Sequence, residues 1–285
     1  MKTLLVLLVF SVALAARAVE SPLRIAILGD STVCDYPADK PERGWGMYVE
    51  QQFPSDAVKV FNFARSGRST KTFLKEGLWT KAKAAKPDVV LIQFGHNDSH
   101  AKDKPESTDA ATDFRDNLRL YVAESRALGA TPILVTPMHR RTFNADGTLR
   151  DNLKPYAESM KAVAAELKVA LIDLHAASGE LFAKLGEKSN EQFANKPGDA
   201  THFNERGARA MAELVMRELP KAEPRLGKLA RPSSSTSDVA ISVTEPSGAA
   251  RRGWPVTSGI PFAQGVLHDG RNAVLLASDG QPVPL

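Results

Sequence analysis

Ser31 stands in Gly29-Asp30-Ser31-Thr32, immediately after the apolar run Leu23 to Leu28. A serine at the end of a buried strand presents its hydroxyl at the edge of the sheet, and a helix starting there would aim the serine N–H and the positive end of its dipole into the same space. The four residues alone fit a helix cap equally well. Far along the chain, Asp199-Ala200-Thr201-His202 follows Pro197-Gly198 and precedes a stretch of helical periodicity. A turn brings residues three apart together, so Asp199 can hold one ring nitrogen of His202 while the other takes the Ser31 proton. Together the three residues have the makings of nucleophilic acyl transfer. Taken alone, the Asp–His pair also reads as a helix cap beside a surface histidine.

Acyl transfer needs hydrogen-bond donors for the oxyanion, each worth about a hundred- to a thousand-fold in rate. The Ser31 N–H is one candidate. Gly67, in Arg65-Ser66-Gly67-Arg68-Ser69-Thr70, lets the backbone approach closely and offers its N–H, and Asn97, in Gly95-His96-Asn97-Asp98, offers a side-chain amide. Both segments follow apolar runs, although either residue alone is also a turn former.

Other reactive residue types compete with this set. His96 and His100 near Asp98 have the spacing of a metal pair, as in a metal-dependent polysaccharide deacetylase. Only Asp30 supplies an acid at the neighbouring strand end, so the expectation is no metal, with His96 bracing the Asn97 loop and His100 in solvent. Cys34 is the sole cysteine. No internal disulfide can form, and the thiol reads as a buried bystander.

The elements that must position these residues are visible as a pattern. Leu23 to Leu28, Val58 to Ala64, Val89 to Phe94, Pro132 to Thr136 and Ala170 to Asp173 are short apolar runs that read as buried parallel strands. Trp45 to Phe53, Ala110 to Leu128, Pro155 to Leu167 and Asn204 to Leu219 carry apolar residues at helical spacing. Alternation of this kind predicts a three-layer α/β/α sandwich around a five-stranded parallel sheet, flavodoxin-like in order, with its site at the carboxyl ends of the strands.

The ends of the chain differ in texture. Residues 1–18 hold Lys2, an apolar run from Leu4 to Ala15 and small-x-small steps at Ala13 to Ala15 and Ala16 to Ala18, the features of a cleaved signal peptide. The run is shorter than the ~20 residues of a membrane span. Residues 19–220 form the main domain. Residues 221–250, with Pro224, Pro232, Pro246 and a Ser/Thr run, read as a linker, and 251–285 as a β-like tail or the start of a β-rich module. Val239 to Val243 and Ala273 to Ala277 are its strand-like segments.

In their order along the chain these blocks resemble the SGNH (GDSL-like) hydrolases, and within them the rhamnogalacturonan acetylesterases. The resemblance runs from about Leu23 to Leu219. It takes in Gly44-Trp45-Gly46, Asn62-Phe63-Ala64, Gly67-Arg68-Ser69-Thr70, Gln93 to Asp98, Arg140-Arg141-Thr142-Phe143 and Asp199 to Glu205. It implies Ser31 as nucleophile, His202 as base and Asp199 as its orienter. Ser31 N–H, Gly67 N–H and Asn97 would form the oxyanion hole.

The implied activity is a serine acetylesterase on acetylated plant cell-wall polysaccharide, rhamnogalacturonan first, working without a cofactor. Xylan acetylesterase, lipase and thioesterase activities are the alternatives within the class, and a non-catalytic carbohydrate-binding protein is the alternative outside it. The loops show no apolar excess of the kind a lipase needs. Arg68, Arg140 and Arg141 could bind carboxylates of a uronic-acid backbone or brace loops. The formal charge of +4 falls to +2 when Lys2 and Arg17 leave with the signal, too little for a nucleic-acid partner. The expected location is secreted or periplasmic, with no membrane partner after cleavage.

Overall fold

The computed structural model describes residues 21–54 and 56–230, together with two short strands near the C-terminus. The expected signal peptide and the strand-like segment Val239 to Val243 lie outside the described residues. Five parallel strands, β1 (Leu23–Leu28), β2 (Val58–Asn62), β3 (Val89–Ile92), β4 (Thr131–Val135) and β5 (Ala170–Ile172), form one sheet in the order β2-β1-β3-β4-β5. All five lie where the apolar runs place them, with ends shorter by one or two residues at β2, β3 and β5.

Strand period divides each run between two cores. Ile25 and Ile27 of β1, Val89 and Leu91 of β3, and Ile133 and Val135 of β4 face one apolar cluster; Ala26, Leu28, Val90, Ile92 and Leu134 face the other. The second cluster is closed by α1 (Thr70–Lys75), α2 (Leu78–Ala84), α3 (Asp113–Ala127) and α4 (Lys154–Leu167). The first is closed by α5 (Leu174–Leu185), α6 (Lys188–Phe193), α7 (Glu205–Ala222) and α8 (Pro224–Leu229), with Trp45, Tyr48 and Phe53. This is the expected three-layer sandwich.

Three readings of helices need correction. Trp45 to Phe53 forms two 3₁₀ helices, Trp45–Tyr48 and Glu50–Gln52, rather than an α-helix. No helix starts at Ser31: residues 31–33 form a turn, so no helix dipole stands behind the serine. The linker expected from 221 begins instead as ordered helix. Pro224 takes a first-turn position of α8, where its missing N–H is harmless, Glu223 accepts from Arg225 N–H as the cap, and Leu226 is fully buried. The chain divides into two units at Ala230, and in the second β6 (Leu275–Leu276) pairs antiparallel with β7 (Pro282–Val283).

The burial of Leu226 makes the corrected boundary testable. Leu226→Ala should lower the unfolding free energy by about 2–5 kcal/mol, read from the urea midpoint at constant slope. A change within about 0.5 kcal/mol would place α8 outside the cooperative unit.

Candidate active site

β1 is flanked by β2 on one side and β3 on the other, the position where the strand order reverses and a crevice opens at the carboxyl ends. Ser31 leaves β1 at that point. Its turn is closed by Val33 and Cys34 N–H donating to the Asp30 carbonyl at 3.2 and 3.0 Å. Inside it, Thr32 N–H and Oγ1 donate to Asp30 Oδ1 at 2.9 and 2.7 Å. Tyr36 donates its hydroxyl to the Ser31 carbonyl at 2.9 Å.

The Gly44-Trp45-Gly46 block clamps this turn from outside. Trp45 N–H donates to Thr32 O and Gly46 N–H to Val33 O. A Cβ on Gly44 would collide with the Cys34 carbonyl and one on Gly46 with Val33, so only glycine allows the approach. Buried Gln93 completes the clamp, accepting from Trp45 Nε1 at 2.7 Å and donating to Thr32 Oγ1 at 3.0 Å.

The 199–202 turn lies between α6 and α7. His202 Nε2 lies 3.0 Å from Ser31 Oγ, and His202 Nδ1 lies 2.9 Å from Asp199 Oδ2. Asp199 Oδ1 accepts from Thr201 and His202 N–H at 2.9 and 2.8 Å, so the aspartate shapes its own turn while Asn204 caps α7. Burial works to raise Asp199, but these N–H donors and the His202 ring outweigh it and hold the carboxyl below its ordinary value.

Gly67 and Asn97 lie on the loops that follow β2 and β3, the two strands beside β1. Gly67 has φ +79°, a left-handed conformation open to glycine, and Asn97 Nδ2 donates to the Arg68 carbonyl at 3.0 Å, which ties the two loops together. Among the described residues no backbone carbonyl accepts from the N–H of Ser31 or Gly67.

The three arginines divide. Arg141 is a correction: it is fully buried, its guanidinium 4.4 Å from the Phe203 ring centroid, and Nη2 donates to the Asp199 and His202 carbonyls at 3.0 and 2.7 Å. It props the Asp199–His202 turn and cannot meet substrate. Burial pulls it down to about 10, against the opposing pull of Asp199. Arg140 is half-buried and donates to the His96 carbonyl at 3.0 Å. Arg68 pairs with Glu76 at 3.0 Å and remains partly exposed.

His96 and His100 part company. His96 is buried with Nδ1 3.5 Å from Asp30 Oδ2, and burial lowers its pKa against the pull of Asp30. His100 pairs with Glu106 at 2.6 Å on the surface. They share no partner. Cys34 is buried, and burial raises its thiol to about 11, which removes it as a nucleophile.

The sequence reading missed Asp98 as a fastening. It is fully buried and accepts from Thr70 N–H, Thr70 Oγ1 and Thr108 Oγ1, while its carbonyl accepts from Tyr156, locking the Asn97 loop to α1. The local signal, acidic and next to Asn97, was indistinguishable from a surface turn.

Residues 27–210 match the GDSL-like Lipase/Acylhydrolase family. The chain belongs to that family. It is therefore an ester hydrolase of the GDSL-like class. It is 39% identical over 211 residues to rhamnogalacturonan acetylesterase RhgT of Bacillus subtilis (strain 168), covering 69% of this chain and 89% of that one. It is 28% identical over 224 residues to an acetylxylan esterase of Xylanibacter ruminicola, covering 69% of this chain and 43% of that one. Among solved structures, YxiM of Bacillus subtilis superposes with a TM-score of 0.62 at 31% identity over 70% of this chain and 57% of that chain. Axe2 of Geobacillus stearothermophilus, an acetylxylan esterase, shares the fold with a TM-score of 0.57 at 24% identity over 70% and 95%.

Burial outweighs the three donors and pushes the Asp98 carboxyl up to about 7. The folded hydrolase then binds this proton more tightly than the unfolded chain does, so the contribution is complete below 3.8 and is lost as pH rises through about 7. In Asp98→Asn, the loss of urea resistance between about pH 4 and about pH 8 should be smaller than in the parent. An equal or steeper loss would show that Asp98 is ionised throughout.

Proposed function

We propose that this GDSL-like hydrolase removes acetyl groups from an acetylated plant cell-wall polysaccharide, rhamnogalacturonan in the first place, through an acetyl-enzyme on Ser31. The observation that carries this reading is the unbroken relay Ser31 Oγ to His202 Nε2 to His202 Nδ1 to Asp199 Oδ2, at 3.0 and 2.9 Å. A carboxylate held ionised accepts from Nδ1–H, which leaves the Nε2 lone pair for the serine proton.

Ser31 Oγ attacks the acetyl carbonyl carbon as its proton passes to His202 Nε2. The tetrahedral oxyanion meets the N–H groups of Ser31 and Gly67 and the Asn97 amide. Asn97 spends one Nδ2 hydrogen on the Arg68 carbonyl and keeps its second for the oxyanion, so one side chain both shapes the hole and serves it. When the intermediate collapses, the C–O bond to the sugar breaks and His202 returns the proton to the leaving sugar oxygen. Water, deprotonated by His202, then attacks the acetyl-enzyme and releases acetate and Ser31.

Substrate choice rests on the relatives named above, with rhamnogalacturonan ahead of xylan on identity and coverage. Arg68 and Arg140 are the two basic side chains left for an acidic backbone. A polymer substrate accords with export through cleavage of residues 1–18 to the periplasm or the outside. Among the described residues no helix is long and apolar enough to cross a membrane.

Acetate release from acetylated rhamnogalacturonan and acetylated xylan, measured in parallel, tests the assignment. Ser31→Ala should abolish release, and Asn97→Ala should lower kcat about a hundred- to a thousand-fold with KM nearly unchanged. Preference for xylan would move only the substrate, whereas full activity of Ser31→Ala would overturn the mechanism. In a separate comparison, Arg140→Ala should raise KM on the acidic polymer and leave a small acetyl ester unaffected. Equal effects on both would remove Arg140 from substrate binding.

A further inference from the structure

Three side chains that the ester chemistry leaves unused converge beside the loop after β4. His139 lies on that loop, Asp151 on the segment leading into α4, and His175 in the first turn of α5. The two imidazoles stack, with ring centroids 3.8 Å apart and planes 18° from parallel. His175 Nε2 is 3.0 Å and His139 Nδ1 4.0 Å from the same Asp151 oxygen, and one ligand atom from each of the three residues lies within 4.8 Å of the others. His139 is 9% and His175 5% exposed, and neither of these two nitrogens makes a hydrogen bond of acceptable geometry.

The proton inventory makes the arrangement unusual. His175 Nδ1 lies 3.0 Å from the Pro137 carbonyl oxygen, which only accepts, so Nδ1 carries the ring hydrogen. In the neutral ring the Nε2 lone pair then faces a carboxylate, with the second imidazole stacked alongside. Two buried nitrogens converging on one carboxylate oxygen are a donor set for a cation.

We propose that His139 Nδ1, Asp151 Oδ1 and His175 Nε2 bind a divalent transition-metal ion of the zinc class. Zinc bonds of about 2.0–2.2 Å to nitrogen and carboxylate oxygen set tetrahedral ligand atoms about 3.3 Å apart, close to the 3.0 and 4.0 Å separations from Asp151 Oδ1, and the two stacked rings would turn apart to bring one ion into both ring planes. Asp151, whose side chain is 35% exposed, opens the site to solvent, so water completes the fourth position. The Pro137 carbonyl orients the His175 ring, as the second nitrogen of a metal-ligating histidine is commonly held, and Ser178 Oγ accepts from the backbone N–H of His139 at 3.0 Å and fixes its main chain. A Cβ on Gly179 would press on the His139 ring at 3.0 Å, so glycine leaves the ring its place.

The ion would not enter ester cleavage. It would fasten the β4 loop to α5, and that loop continues directly into Arg140 and Arg141, which hold the His96 carbonyl and the Asp199–His202 turn.

Titration of the full-length, chelator-stripped protein with Zn²⁺, followed by calorimetry and metal analysis after dialysis, tests the site. One retained equivalent and a raised Tm are expected, and Co²⁺ in place of Zn²⁺ should give visible absorption bands of a low-coordinate nitrogen–oxygen site. Asp151→Ala, at an exposed position that should leave the fold intact, should weaken Zn²⁺ binding at least about tenfold, and His175→Gln should do the same. His100→Gln, at the unrelated surface histidine, should leave binding unchanged, and Ca²⁺ should produce no Tm rise. The proposal is overturned by absence of saturable Zn²⁺ binding in the parent, by parental affinity in Asp151→Ala, or by loss of binding in His100→Gln alone.

Discussion

The 3.0 Å contact between Ser31 and His202 spans a sequence separation of 171 residues, and both partners are held by contacts from several segments. A hydroxyl is a poor nucleophile unless its proton has an acceptor at hydrogen-bond distance, and displacement by an ångström removes the advantage. The fold meets this constraint by bracing both partners. The Ser31 turn is held from within by Asp30 and from without by the Gly44-Trp45-Gly46 clamp. The His202 turn is held from within by Asp199 and from beneath by Arg141.

Arg141 shows how much tertiary support such a contact requires. A guanidinium removed from water is costly unless its hydrogens are used, and here Nη2 supplies two backbone carbonyls, Nε and Nη1 make no hydrogen bond, and the aromatic rings of Phe203 and Phe182 face the charge. Burial costs stability in isolation but places a rigid fork under the turn that carries His202. Asp98 plays a matching part under Asn97, where a buried carboxyl gathers donors from α1 and from the 107–108 segment. Support of this kind is polar rather than apolar because loops at strand ends must satisfy their own carbonyls and N–H groups.

Much of this was legible in the residues. Five apolar runs became five strands, since a parallel sheet covered on both faces needs continuous apolar segments and leaves them few other fates. The strand end at Gly29-Asp30-Ser31, the left-handed glycine at Gly67 and the Asp199–His202 turn were legible because each is a local property. The helix expected at Ser31 was wrong for a local reason as well: Asp30 captures the Thr32 N–H and hydroxyl and closes a turn before a helix can propagate. The boundary at 220 failed because proline reads as a helix stop, whereas Pro224 opens α8.

The sequence by itself therefore determined the sheet, the order of its elements and the hydrolase family, because periodicity and short-range turn chemistry are written within a few residues. Only the tertiary structure decided which arginine is a buried strut, which histidines share a partner, and that His139, Asp151 and His175 converge. Those outcomes depend on burial and on distances between elements far apart in the chain, and no spacing along the sequence encodes either.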